Sequence, residues 1–65
     1  MFKFNIGDVV KTTHPILGEW VGRVLTRTNV EDGVNEYLTE NAPLLLKYGL
    51  RFPCLSWEEE MELVK

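Results

Sequence analysis

A single cysteine, Cys54, in a chain of 65 residues narrows the available architectures more than any other feature. A domain this small buries only about 60% of the surface its unfolded chain exposes, so small domains lean on disulfides, metals or association. One thiol forms no intramolecular disulfide. A structural zinc site takes about four Cys or His ligands, and the chain offers Cys54 and His14 alone. What remains is a well-packed sheet, a partner, or self-association, with no metal and no cofactor expected.

The apolar pattern favours strands. In residues 6–12, Gly7-Asp8 reads as a turn that feeds the β-branched run Val9-Val10. Residues 14–18 hold Pro15 and Gly18 and read as a loop. A second strand over 19–28 alternates after Gly22, placing Val24 and Thr26 on one face and Arg23, Leu25 and Arg27 on the other. Gly22 within that strand suggests a bulge or a tight bend. Asp32-Gly33 is a strong hairpin signal leading to a third strand over 35–40, with Tyr37 and Thr39 sharing a face. Near the end, a short strand over 55–57, a turn through the glutamates 58–60 and a last strand over 61–64 are expected, with Trp57 inside the core.

Positions 41–53 interrupt this meander. Asn41-Ala42-Pro43 can start a helix, since Asn caps and Pro is tolerated in the first turn. One or two helical turns over 44–48, ended by Gly49, are therefore expected. Leu44, Leu45, Leu46, Tyr48, Leu50 and Phe52 are more apolar side chains than a short loop normally hides. The segment either caps one end of the domain or forms a contact patch with another chain.

Taken together, Ile6-Gly7-Asp8-Val9-Val10, Gly22-Arg23-Val24, Tyr37-Leu38-Thr39 and Trp57 through Glu62-Leu63-Val64 resemble the layout of small SH3-like β-barrels. The resemblance covers nearly the whole chain except 41–53 and implies an all-β fold of about five antiparallel strands in one domain. Relatives in this layout include KOW-like and Tudor-like binding modules, short barrels encoded by bacteria and phages, and the type II plasmid dihydrofolate reductase. A phage or mobile-element origin is an expectation from that company alone. The reductase builds its site from a Val-Gln-Ile-Tyr stretch around the pore of a tetramer. The counterpart here, Cys54-Leu55-Ser56-Trp57, lacks both the Gln and the Tyr, so nothing catalytic carries over.

No other residue set supports an enzyme. His14 has no second ligand or nucleophile at motif spacing and reads as a loop histidine. Cys54 sits in an apolar stretch and reads as a buried, inert thiol. Glu58, Glu59, Glu60 and Glu62 lack the alternating Asp and Gly of a calcium loop and read as a solvated acidic edge. The residues expected to bind a partner are Trp20, Arg23, Leu25 and Arg27 on the second strand. Leu44, Leu45, Leu46, Tyr48 and Phe52 of the insertion join them. Trp20 suits either the core or a loop rim, where an aromatic anchors a ligand.

The expected function is a non-catalytic protein-interaction or assembly module, partnered by another protein or by a second copy. Nucleic-acid association in the KOW-like manner is the first alternative, disfavoured by a net charge of −3, since phosphate binders carry a basic footprint. An oligomeric enzyme of the type II dihydrofolate reductase kind, which would need residues shared at a symmetric pore, is the second and weakest. Lys3 and Asp8 interrupt the opening apolar residues, so neither a signal segment nor a membrane partner is expected, and a lone thiol suits the cytoplasm.

Overall fold

A computed structural model describes residues 1–45 and 52–64, with positions 44, 45, 52 and 53 described as backbone only. The chain is all-β. Strand β1 (Val9–His14) is followed by β2 (Gly18–Glu31), β3 (Val34–Thr39), β4 (Leu44–Leu45), β5 (Phe52–Pro53), β6 (Ser56–Trp57) and β7 (Met61–Leu63). Among the described residues the one helical element is a 3-10 turn at Glu58–Glu60, between β6 and β7.

Five strands form one antiparallel sheet in the order β6-β3-β2-β1-β7. The 14-residue β2 holds it together: positions 18–23 pair with β1 and positions 24–31 with β3. Gly22 sits next to the point where one pairing gives way to the other. A Cβ built at Gly22 would overlap the backbone carbonyl of Glu40, which crosses β2 there. The crossing is fastened by Glu40 N–H to the Arg23 carbonyl at 2.9 Å and by Asn41 Nδ2 to the Val21 carbonyl at 2.9 Å. The two edge strands, β6 and β7, are joined by the 3-10 turn alone, and no ladder connects them among the described residues.

Local turn chemistry sets the hairpins. Gly33 takes φ 76° and closes β2 on β3, while Gly18 takes φ 86° and closes β1 on β2. Such left-handed values cost a glycine little. The His14 imidazole completes the first turn, its Nδ1 accepting from the amides of Ile16 at 3.1 Å and Leu17 at 3.0 Å. The first strand starts at Val9, directly after the expected turn, which the chain makes at Ile6 and Gly7.

Three expectations are corrected. No helix begins at Asn41-Ala42-Pro43: Leu44–Leu45 is extended and pairs antiparallel with Phe52–Pro53, closed at its base by Cys54 N–H to the Pro43 carbonyl at 2.8 Å. Asn41 turns the chain with φ 65° instead of capping a helix. Trp57 is not in the core; it is 41% exposed, and Tyr37, fully buried, fills the interior with Phe4, Val10, Val24 and Met61. Third, the Glu58–Glu60 turn is where it was expected, but Glu58 is not a solvated charge, as described next.

Candidate interaction surfaces

Four expected partner-binding residues lie on β2, and the structure separates them. Trp20 is 8% exposed and its indole Nε1 donates to Thr39 Oγ1 at 2.9 Å, so it is a core residue with its one donor satisfied. Arg23 is exposed and pairs with Glu40 at 3.5 Å. Leu25 is exposed. Arg27 leaves their face altogether. The register passes from Val24 opposite Thr39 to Thr26 opposite Leu38, so Leu25 is an extra residue and the alternation shifts by one. Arg27 is thereby turned to the core margin, where it donates to the Phe4 carbonyl at 3.0 Å and lies 4.6 Å over the Phe2 ring. The expected strip of Arg23, Leu25 and Arg27 does not form.

In the insertion, Leu44, Leu45 and Phe52 belong to the short β4–β5 ladder, while Leu46 and Tyr48 lie outside the described residues. The ladder leaves the sheet between β3 and β6. Beside its root lies a surface that the alternation pattern missed. Trp57 stands opposite Glu36 and Leu38 opposite Thr26; continuing the register of Tyr37 with Ser56 brings Leu55 alongside Leu38. Cross-strand neighbours of this kind hold their Cβ atoms about 5 Å apart. Leu55 is 49% exposed, Trp57 41% and Leu38 half-buried, so the outer side of β3 and β6 offers apolar surface at these three positions. Recognising it from sequence required knowing that Ser56, not Trp57, points inward.

A second feature is a groove of about 490 Å³ lined by Thr13, Pro15, Glu59, Glu60, Met61 and Glu62. Of these acids, Glu62 shares Lys11 with Glu19, at 3.6 and 3.8 Å.

The third is a hydrogen-bond cluster on Glu58. Its Oε2 accepts from the Tyr37 hydroxyl, from Lys3 N–H at 2.9 Å and from Asn35 Nδ2 at 2.9 Å. The Tyr37 bond, reinforced by those from Lys3 and Asn35, holds the Glu58 carboxyl below the usual carboxylate range against its partial desolvation. Burial, and then the bond to Glu58, push the Tyr37 phenol up. Nothing in this cluster is arranged as a nucleophile and base; it fastens the N-terminal segment.

Cys54 is buried, and burial followed by the nearby Glu60 charge raises its thiol, which opposes thiolate formation. Among the described residues no three His, Cys, Asp or Glu side chains converge as metal ligands, and no helix is long and apolar enough to cross a membrane. No family model matches the chain, nor does any curated protein or solved structure.

Proposed function

We propose that this chain is a non-catalytic protein-interaction module on an SH3-like barrel, docking through the outer face of β3 and β6. The barrel is supported by the strand order β6-β3-β2-β1-β7, by β2 serving both halves of the sheet, and by the single 3-10 turn that links the two edges. The observation that carries the docking surface is the outward placement of Trp57, with Leu55 and Leu38 beside it. An aromatic anchor flanked by leucines on a short edge strand has the composition of an interface centre.

Association with nucleic acid has less support. Among the described cations, Lys11 and Arg23 pair with carboxylates, and Arg27 is spent on Phe2, Phe4 and Asn5. Lys3 lies 5.5 Å over the Phe4 ring, so the described cations each have a partner within the chain, and the net charge of −3 adds to the case against a phosphate binder.

The test uses the tagged full chain and its Leu55→Asp variant in a nuclease-treated lysate of the native host, with thermal melts alongside. Docking through this face predicts a protein retained by the parent and lost with the variant at unchanged melting temperature. Equal retention by both proteins sinks the outer-face assignment. Retention that disappears with nuclease favours nucleic acid instead.

A further inference from the structure

The N-terminal segment, residues 1–5, belongs to no strand, yet it supplies part of the core. Phe4 is buried among Val10, Val24, Tyr37 and Met61, and Phe2 packs against the same cluster. Phe4 meets the Tyr37 ring edge-on at 5.4 Å between centroids, and Phe2 does so at 6.1 Å. The hydrogen bonds to this strap follow one rule: side chains of β2, β3 and the 3-10 turn grip strap backbone. Tyr37 Oη accepts from the amides of Lys3 at 3.1 Å and Phe4 at 3.3 Å, and Glu58 accepts from Lys3 N–H. Asn35 Nδ2 donates to the Met1 carbonyl at 2.8 Å, and Arg27 donates to the Phe4 carbonyl. Only Asn5, through its Oδ1 to Arg27 at 3.1 Å, contributes a side-chain oxygen to these contacts.

Backbone read by hydrogen bonds, with two aromatics at alternate positions seated on one side, is the way a groove recognises an extended peptide. Nothing in these contacts requires the peptide to come from the same molecule. The connection is short: Asn5 and Asp8 close a turn through Asp8 N–H to the Asn5 carbonyl at 3.0 Å and Asn5 N–H to Asp8 Oδ2 at 2.9 Å. Gly7 within it takes φ 96°.

We propose that this groove accepts the Phe2-Lys3-Phe4 strap of a second copy, so that two chains exchange straps reciprocally. A second copy is the occupant because it carries the same strap, and every contact of residues 1–4 with the core is remade in the exchanged form, while the Asn5–Asp8 turn bonds and the Gly7 N–H to Val24 carbonyl bond, 2.9 Å, belong to the hinge that opens. The two forms then differ in the hinge and in concentration. A segment tethered by a short linker competes at an effective concentration of about one millimolar or more, so exchange needs comparable protein concentrations or joint refolding. The hinge offers a lever. A methyl added at Gly7 meets nothing within 4 Å, so its cost is the left-handed φ alone. An opened, extended hinge does not bear that cost.

The experiment refolds carbon-13-labelled and unlabelled full chains together at about one millimolar. Sedimentation gives the dimer fraction, and isotope-filtered NOE spectra show whether Phe4 of one chain touches Tyr37 of the other. A Gly7→Ala chain is treated in parallel. Strap exchange predicts interchain Phe4–Tyr37 contacts in the dimer. It also predicts a dimerisation constant about a hundredfold higher for Gly7→Ala, tenfold for each of two relieved hinges. Monomer alone in both samples, or a dimer whose Phe4–Tyr37 contacts all lie within one chain, overturns it. Should Gly7→Ala not fold, the parent sample decides by the same two results. Leu55→Asp leaves the strap untouched, so docking through the outer face and strap exchange can fail independently.

Discussion

Replacing Gly22 by alanine is expected to remove most of the stability of this domain. The added Cβ falls on the Glu40 carbonyl oxygen and lies 2.8 Å from the carbonyl carbon and 3.2 Å from the Cα of that residue. All three are backbone atoms, so no rotamer change relieves the overlap. The crossing must open, which breaks the bonds from Glu40 N–H to Arg23 and from Asn41 Nδ2 to Val21. Overpacking costs about 1–3 kcal/mol, and each lost hydrogen bond adds about 0.5–1.5 kcal/mol. The exposed Arg23–Glu40 pair adds little. The sum is roughly 2–6 kcal/mol, against about 3–10 kcal/mol for a whole domain of this length. Urea unfolding followed by circular dichroism measures it, with Val21→Ala as the control, since that exposed side chain plays no part in the crossing. A Gly22→Ala midpoint corresponding to a loss under about 1 kcal/mol, below the overpacking range, would show that β2 and Glu40 separate freely and refute the steric account.

Other outcomes follow from the same contacts. Tyr37→Phe removes the oxygen that receives Lys3 and Phe4 amides and the donor to Glu58; a loss of about 1.5–3 kcal/mol in thermal or urea unfolding is expected. Glu58 has a folded pKa below its unfolded one, so the stability it lends is complete above the ordinary carboxyl range. That stability drains as pH falls through the folded value, and Glu58→Gln should flatten the acid limb of a stability–pH curve. Trp20→Phe leaves Thr39 Oγ1 without its donor and should cost about 1–2 kcal/mol, with no change in partner retention, because Trp20 is a core residue. Trp57→Ser should lose partner retention in the lysate assay while circular dichroism shows the domain still folded, at a cost of about 1–3 kcal/mol for the half-buried ring.

Local chemistry alone determined the turns and the strand class. Gly7-Asp8 ahead of Val9 and Asp32-Gly33 between β2 and β3 follow from short-range backbone rules, whereas Gly22 answers to the Glu40 backbone 18 residues on. The lone Cys54 already excluded a disulfide within the chain. Which aromatic enters the core was a tertiary matter. The core of so small a sheet domain holds few large side chains, and Tyr37 occupies it with Phe4, which leaves Trp57 outside. The bulge at Leu25 is equally invisible in the alternation of residues 23–27; one extra residue against β3 reverses the face of Arg27 and dissolves the expected strip. Asn41-Ala42-Pro43 satisfies helix-start rules, yet the chain pairs Leu44–Leu45 with Phe52–Pro53 because cross-strand hydrogen bonds become available once β3 and β6 are neighbours. Glutamate 58 looked like part of a solvated run; the fold brings Tyr37, Asn35 and Lys3 around it from positions 21 to 55 residues away. Sequence determined the elements whose causes span a few residues. Faces, partners of buried side chains and the outward placement of Trp57 waited on contacts between residues far apart in the chain, since only a formed sheet specifies which side of each strand is inside.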